Sequence, residues 1–233
     1  MKGQLYLVPV TLGDEDFQKV IPEKVLEIIR RLRFFIVEDL RSARRFLRLI
    51  DRKFPIDDSI FLELSEHTSD PEYIHYLDPV ENGHDIGLLS EAGLPCIADP
   101  GSRIVLMAHE KKIKVTPLSG PSSIIMALIS SGLNGQSFTF NGYLPVKPAE
   151  LAAKIKEIEK KASGGYSQIF METPYRAQKL FDTLITLCNS GTKLCIAQNL
   201  TLPDESICTQ TIARWAKKQP AINDKLVVFV LQQ

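Results

Sequence analysis

At 233 residues the chain fits one large domain or two ordinary ones, and it is long enough to bury a core without disulfides or metals. Hydrophobic residues make up 44% and charged residues 24%, which excludes disordered and fibrous classes. The 28 Lys and Arg balance the 28 Asp and Glu, so no whole-molecule field draws in nucleic acid or an anionic membrane, and any polyanion site is local.

Short β-rich runs alternate with amphipathic segments almost from end to end, the pattern of sheets built with helical crossovers. Leu5 to Val10 is the first strand. A helix starts at Pro22, a residue suited to a first helical turn, and buries Val25, Ile28, Ile29 and Leu32 at helical spacing. Phe34 to Val37 is the next strand. Arg41, Arg44, Arg45, Arg48 and Arg52 then recur at spacings of three and four, so they share one face of a helix whose other face carries Phe46, Leu49 and Ile50. Strands follow at Ser59 to Leu64, Asp85 to Leu89 and Ile113 to Pro117, with helices near Pro71 to Asn82 and Arg103 to Lys111.

Beyond Pro117, Ser119-Gly120-Pro121-Ser122-Ser123 opens an apolar helix that ends at Ser131-Gly132, where glycine suits a C-cap. The expected organisation is α/β, with an N-terminal α/β domain over 1–117 and a C-terminal one over 118–233. The second half has strands at Phe138 to Gly142, Gln168 to Glu172, Lys193 to Asn199 and Leu226 to Leu231, in a sheet open to mixed pairing. Its helices lie near Ala149 to Ala162, Pro174 to Cys188 and Thr211 to Lys217, and Gly164-Gly165 marks a turn.

Four segments can carry chemistry. Ser90 to Ser102 follows a strand and precedes a helix, so in a parallel sheet it lies at the carboxyl edge, where ligands bind. Its Gly93 and Gly101 allow close approach of backbone to a ligand; a plain turn ahead of a helix capped by Ser102 is the competing reading. Ser119 to Ser123 feeds a helix N-terminus whose free N–H groups can receive a polar ligand end, or the serines simply cap that helix. Neither loop matches G-x-G-x-x-G, a Walker A loop or a G-x-S-x-G elbow, which speaks against dinucleotide oxidoreductases, nucleotide hydrolases and serine hydrolases.

The third segment, Arg30 to Lys53, holds nine basic and three acidic residues. Its arginine face is suited to phosphate, or is a solvated helix face. Glu38 and Asp39, ahead of that helix, can orient Arg41 or a substrate hydroxyl, or serve as first-turn acids favoured by the helix dipole. The fourth, Glu172-Thr173-Pro174-Tyr175-Arg176, sets an acid, an aromatic and a cation at a strand end; Pro174 starting a helix with Glu172 as a local partner explains it equally well.

Cys96, Cys188, Cys195 and Cys208 lack C-x-x-C spacing, and His67, His75, His84 and His109 do not pair with them at metal-ligand spacing, so reduced thiols and no metal are expected. The segment after Lys2 runs straight into Gly13-Asp14-Glu15-Asp16, unlike a secretory signal, and no apolar stretch approaches the roughly 20 residues of a membrane helix. A cytoplasmic protein with neither membrane nor DNA as partner is expected.

Six of these pieces in this order, namely Leu5 to Asp14, the Glu38-Asp39-x-Arg41 step, the Ser90 to Gly101 loop, Leu118 to Ser123, Phe140-Asn141-Gly142-Tyr143-Leu144-Pro145 and Glu172 to Arg176, resemble the tetrapyrrole methylase superfamily. Within it the chain is most similar to the branch that methylates a cytidine ribose 2′-hydroxyl of small-subunit ribosomal RNA. The resemblance implies two α/β domains with S-adenosylmethionine in the cleft between them, commonly in a homodimer. It implies cofactor contacts at Leu12, at Gly93, Leu94 and Ile97, at Ser122, Ser123 and Ile124, and at Tyr143.

For that chemistry a ribose hydroxyl needs help in losing its proton, and Glu38, Asp39 and Glu91 are the candidate catalytic carboxylates. Arg41, Arg44, Arg45, Arg48 and Arg176 are the candidate substrate contacts, and the small ribosomal subunit or its RNA the implied partner. The chain departs from that branch in three places: Val-Thr-Leu-Gly-Asp stands for Pro-Ile-Gly-Asn, Val146 to Glu150 for a basic cluster, and Gln198-Asn199-Leu200-Thr201-Leu202 for Arg-Glu-Leu-Thr-Lys. These departures and the neutral charge keep a second reading open, a methylase of a tetrapyrrole or another small metabolite. A third is a protein that binds the cofactor without catalysis.

Overall fold

A computed structural model describes residues 2–65, 68 and 73–233, which divide into two compact units, Met1–Ser122 and Ser123–Gln233. The first unit holds strands β1 (Gln4–Val8), β2 (Phe34–Val37), β3 (Ile60–Glu63), β4 (Ile86–Leu89) and β5 (Lys114–Pro117). They form one sheet in the order β3-β2-β4-β1-β5. Every pairing in it is parallel. β4 is buried along its whole length, as a strand covered on both faces must be, and this is why its signature is a continuous apolar run rather than an alternation.

Side chains divide between the faces with period two. Phe35 and Val37 join one core cluster with helices α1 (Glu23–Arg31) and α2 (Leu40–Ile50), whereas Ile36 joins the cluster of α3 (Asp78–Glu81) and α4 (Ser102–Glu110) on the opposite face. Residues 71 and 72, where the sequence suggests a helix beginning, lie outside the described residues, and α3 covers only the end of that expectation. Pro22 precedes α1 as its cap residue, and Ile28 is half-buried while Leu26 takes the fully buried position. Ser102 is the first residue of α4, and the capping position before it belongs to Gly101 with no side-chain cap bond. The cap that the competing reading of this loop gave to Ser102 is therefore corrected.

The second unit contains α5 (Ser123–Ser131), β6 (Phe138–Tyr143), α6 (Pro148–Ala162), β7 (Ser167–Glu172), α7 (Pro174–Leu187), β8 (Lys193–Gln198), β9 (Ser206–Thr211), α8 (Ile212–Trp215) and β10 (Val227–Gln232). Its sheet runs β6-β7-β10-β8-β9. Only β6 with β7 is parallel, so the sheet is mixed. Helices α6, α7 and α8 bury one face around Phe170, Phe181 and Phe229. Trp215 fixes α8 to that face by donating its indole N–H to the Leu194 carbonyl at 2.8 Å. α5 packs on β7, β8, β9 and β10, and Gly132, at φ +70°, ends it as a glycine C-cap does.

Candidate active site

The carboxyl edge of the first sheet is the place where a ligand can reach the backbone. β1 and β4 are neighbours, yet the connection after β1 leads to α1 on one face and the connection after β4 leads to α4 on the other. Loops that part in this way leave a crevice outside the strand ends. Here the two loops are clipped together: Val10 N–H donates to the Gly93 carbonyl at 2.8 Å, and Gly93 N–H to the Val10 carbonyl at 3.1 Å.

A third loop, after β5, closes on the same point. Gly120 lies so near Pro9 that a Cβ there would sit 2.1 Å from the proline Cβ. Gly93, at φ +74°, has the Leu12 side chain 3.3 Å and the Pro121 carbonyl 3.6 Å from the position of an added Cβ. Leu12, Gly93 and Pro121 therefore meet, although they are more than 100 residues apart in the chain at the extremes. The missing side chains at Gly93 and Gly120 let these three backbones approach.

The loop after β4 is held in a costly shape. Cys96 and Ala98 both have positive φ, 70° and 60°, which side chains rarely adopt and which clusters at functional sites. Asp99 compensates: one carboxylate oxygen accepts from Cys96 N–H at 2.8 Å and the other from Gly101 N–H at 2.7 Å. Burial pushes its carboxyl above the ordinary aspartate value, and those two N–H groups act against the rise. Burial, with Asp99 alongside, also pushes the Cys96 thiol up to about 12, so it is an inert thiol at neutral pH. Asp99 is the residue that the reading of the sequence left without a role. The Asp-Pro-Gly triplet is the signal that carried it, since an aspartate two residues before a glycine in a turn commonly bonds the backbone ahead.

The candidate residues fall into distinct settings. Leu12 is buried, Leu94 half-buried and Ile97 exposed in the strained loop. Ser122 and Ser123 are half-buried, with Ile124 buried in the first turn of α5. Glu91 is exposed in the same loop as Gly93, and Glu38 is half-buried after β2. Asp39 caps α2: its carboxylate accepts from Ser42 N–H at 2.6 Å. That bond, with Arg41 and Arg45 nearby, holds its carboxyl below the ordinary value. A carboxylate held that way is a weakened base.

Arg41, Arg44, Arg45 and Arg48 are exposed along α2, above buried Ala43, Phe46, Leu47 and Ile50, and none forms an ion pair among the described residues. Arg44 lies over the Phe61 ring at 5.4 Å, and Arg48 donates to the Arg52 carbonyl at 2.9 Å. Leu49, expected on the apolar face, is half-buried.

In the second unit, Glu172 at the end of β7 is fully enclosed and pairs with Arg176 at 2.9 Å, while its other oxygen accepts from Thr173 N–H at 2.8 Å. Arg176 is thus tied to its own strand end. Tyr143 is exposed, one residue past Gly142, whose φ of +63° accompanies a shift of register in β6 between Phe140 and Tyr143. Among the described residues no group of three His, Cys, Asp or Glu is placed to hold a metal, and no helix is long and apolar enough to cross a membrane.

The comparisons with known proteins agree with this architecture. A protein of Vibrio cholerae described as ribosomal RNA small subunit methyltransferase I is 31% identical over 203 residues, 87% of this chain and 67% of the relative. One of the same description from Escherichia coli O157:H7 is 30% identical over 88% of this chain and 68% of its own, and one from Haemophilus influenzae 27% identical over 100% and 79%. The crystal structure of the methyltransferase CobJ superposes with a TM-score of 0.63 over 99% of this chain and 94% of that one, at 14% identity, a likeness of fold. The family of tetrapyrrole (corrin/porphyrin) methylases matches residues 4–216, and the chain belongs to this family of methyltransferases.

Proposed function

We propose that the protein transfers the methyl group of S-adenosylmethionine to a ribose 2′-hydroxyl of small-subunit ribosomal RNA. The observation that supports this most is the meeting of three loops at Leu12, Gly93 and Pro121, in a chain whose relatives carry the description of small-subunit ribosomal RNA methyltransferases.

The residues present fit the donor. The absent side chains at Gly93 and Gly120 let the three loops close on one point, and Leu94 and Ile97, with Leu12 beneath, supply apolar surface there for a flat base. We assign donor contacts in the first unit to Leu12, Gly93, Leu94, Ile97 and Ser122; those of Ser123, Ile124 and Tyr143 rest on the resemblance of their motifs. When bound, S-adenosylmethionine supplies an electrophilic methyl on a sulfonium. The protein's own work is to orient the acceptor hydroxyl, to exclude water and to take up the hydroxyl proton. Glu91, exposed in the loop of Gly93, suits the proton better than Asp39, whose carboxylate accepts from Ser42 N–H, and Glu38 is the second candidate. The exposed arginines of α2 bind phosphates and set the strand's position. Arg176, tied to Glu172, holds that strand end and meets substrate only through its exposed part. A homodimer, which rests on the resemblance alone, and a cytoplasmic location, which rests on the sequence pattern, complete the reading.

The test is methyl transfer from labelled donor to small subunits of a strain lacking the protein, followed by alkaline hydrolysis. A 2′-O-methyl group leaves an alkali-resistant dinucleotide, and its appearance is the expected result. Label in a porphyrin extract but not in RNA would transfer the reading to a small-molecule acceptor, which the balanced charge and the near-neutral Val146 to Glu150 segment would then explain.

A further inference from the structure

At the amino edge of the first sheet, away from the loops described above, a cavity of about 310 Å³ opens beside the end of α1. Ile28 and Leu32 give it an apolar floor, and Tyr6, Arg31, His84 and Asp85 give it polar groups. Arg33 also lines it, with one nitrogen already engaged: its Nη1 donates to the Arg30 and Leu32 carbonyls at 2.8 and 2.6 Å, and its guanidinium lies over the Phe54 ring. Arg31 is exposed, its charge is felt by the Tyr6 phenol, and among the described residues it makes no hydrogen bond or ion pair. A planar guanidinium with its fork unspent is suited to a phosphate.

The other groups ask for more than a bare anion. His84 packs against Phe34 with ring centroids 4.8 Å apart and planes tilted by 35°, and presents an aromatic flank to a planar ring. Asp85 accepts from Gln4 N–H through one oxygen, at 2.9 Å, which leaves the second for a ligand N–H or O–H. Tyr6 accepts from the Gln4 amide at 2.7 Å, so its own O–H is left to donate, and burial keeps that phenol protonated by raising it above its ordinary value. A cavity of this size sits at the lower end of small-molecule sites, enough for one ring system with one attached anion. We propose that this amino-edge cavity binds a nucleotide, with Arg31 on the phosphate, His84 against the base, and Asp85 and Tyr6 on the polar edge of the base or sugar. The nucleotide is either free or one residue of an RNA strand.

The experiment titrates guanosine and adenosine 5′-monophosphate, and separately a short single-stranded RNA, into the full chain without methyl donor, following backbone amide resonances. The expected result is a shift at Tyr6, His84 and Asp85, with affinity falling by about tenfold in Arg31→Gln, the loss of one charge-assisted contact. A smaller loss is expected in His84→Ala. Response to the monophosphates identifies a free nucleotide site; response to the RNA alone identifies a strand residue. Silence of those amides in both titrations, or unchanged affinity in both variants, overturns the proposal. Because binding is read without methyl transfer, its failure leaves the methyltransferase reading untouched.

Discussion

Two aspartates with opposite shifts show how single residues shape the edge of the first sheet. Asp39 sits below the ordinary aspartate value, so its ionised form stabilises the fold at neutral pH, and that stabilisation is lost as pH falls through the lowered value. Asp39→Ala should cost about 1 kcal/mol at pH 7, the usual worth of a helix cap, and the difference from the parent should close in acid. Urea unfolding at both pH values checks it. Asp99 lies above the ordinary value because it is buried, so its contribution is greatest at low pH and declines as pH rises through the raised value. Its two N–H partners would be orphaned in Asp99→Ala, at a cost of about 1–3 kcal/mol. Since Cys96 and Ala98 hold positive φ only while that loop is braced, the same variant should bind the methyl donor more weakly in calorimetry. An Asp99→Ala protein with parental stability and donor affinity would remove the bracing role.

At the scale of elements, the decisive contacts are between loops and not between strands. Gly120→Ala would drive a Cβ to 2.1 Å from Pro9, a clash with a rigid ring, whereas Gly93→Ala meets Leu12 at 3.3 Å but must also hold φ +74°. Both should destabilise the first unit by about 1–3 kcal/mol, with Gly120→Ala the worse. Thermal melts of the two variants rank them. α2 offers the complementary test: reversing Arg44, Arg45 and Arg48 to Glu should leave the fold intact, because all three are exposed, and abolish salt-sensitive RNA binding. RNA methylation undiminished in that variant would refute the arginine face.

The same contrast explains how much of this was legible in the sequence. Phe34 to Val37 reads as a strand and is one, residue for residue, because a doubly covered parallel strand needs an unbroken apolar run. α2 shows its two faces in the spacing of its arginines. Ser206 to Thr211, by contrast, forms β9 from Ser-Ile-Cys-Thr-Gln-Thr, a half-exposed edge strand whose stability comes from pairing with β8 rather than from its composition. The ligand-edge motifs were visible as glycine and proline spacing, but the bridge of Val10 to Gly93 and the approach of Gly120 to Pro9 join segments about 80 and 110 residues apart, which local pattern cannot relate. Glu172 as a local partner was among the readings that residue types left open, whereas Asp39, read as a first-turn acid, lies one step earlier as the cap itself.

For the whole molecule, a charge balance of zero means that the proposed contact with RNA has to be local, at a surface such as the arginine face of α2, and not a property of the overall field. Two units with separate cores, a parallel sheet followed by a mixed one, and the match of residues 4–216 all belong to one methyltransferase family. The central claim is that this chain holds a methyl donor at the loops joined by Val10, Gly93 and Gly120. Isothermal titration of the purified protein with S-adenosylmethionine and with its demethylated product tests it most directly. Saturable heat with at least one of them, weakened in Gly120→Ala, is the predicted result; no heat with either would contradict the account.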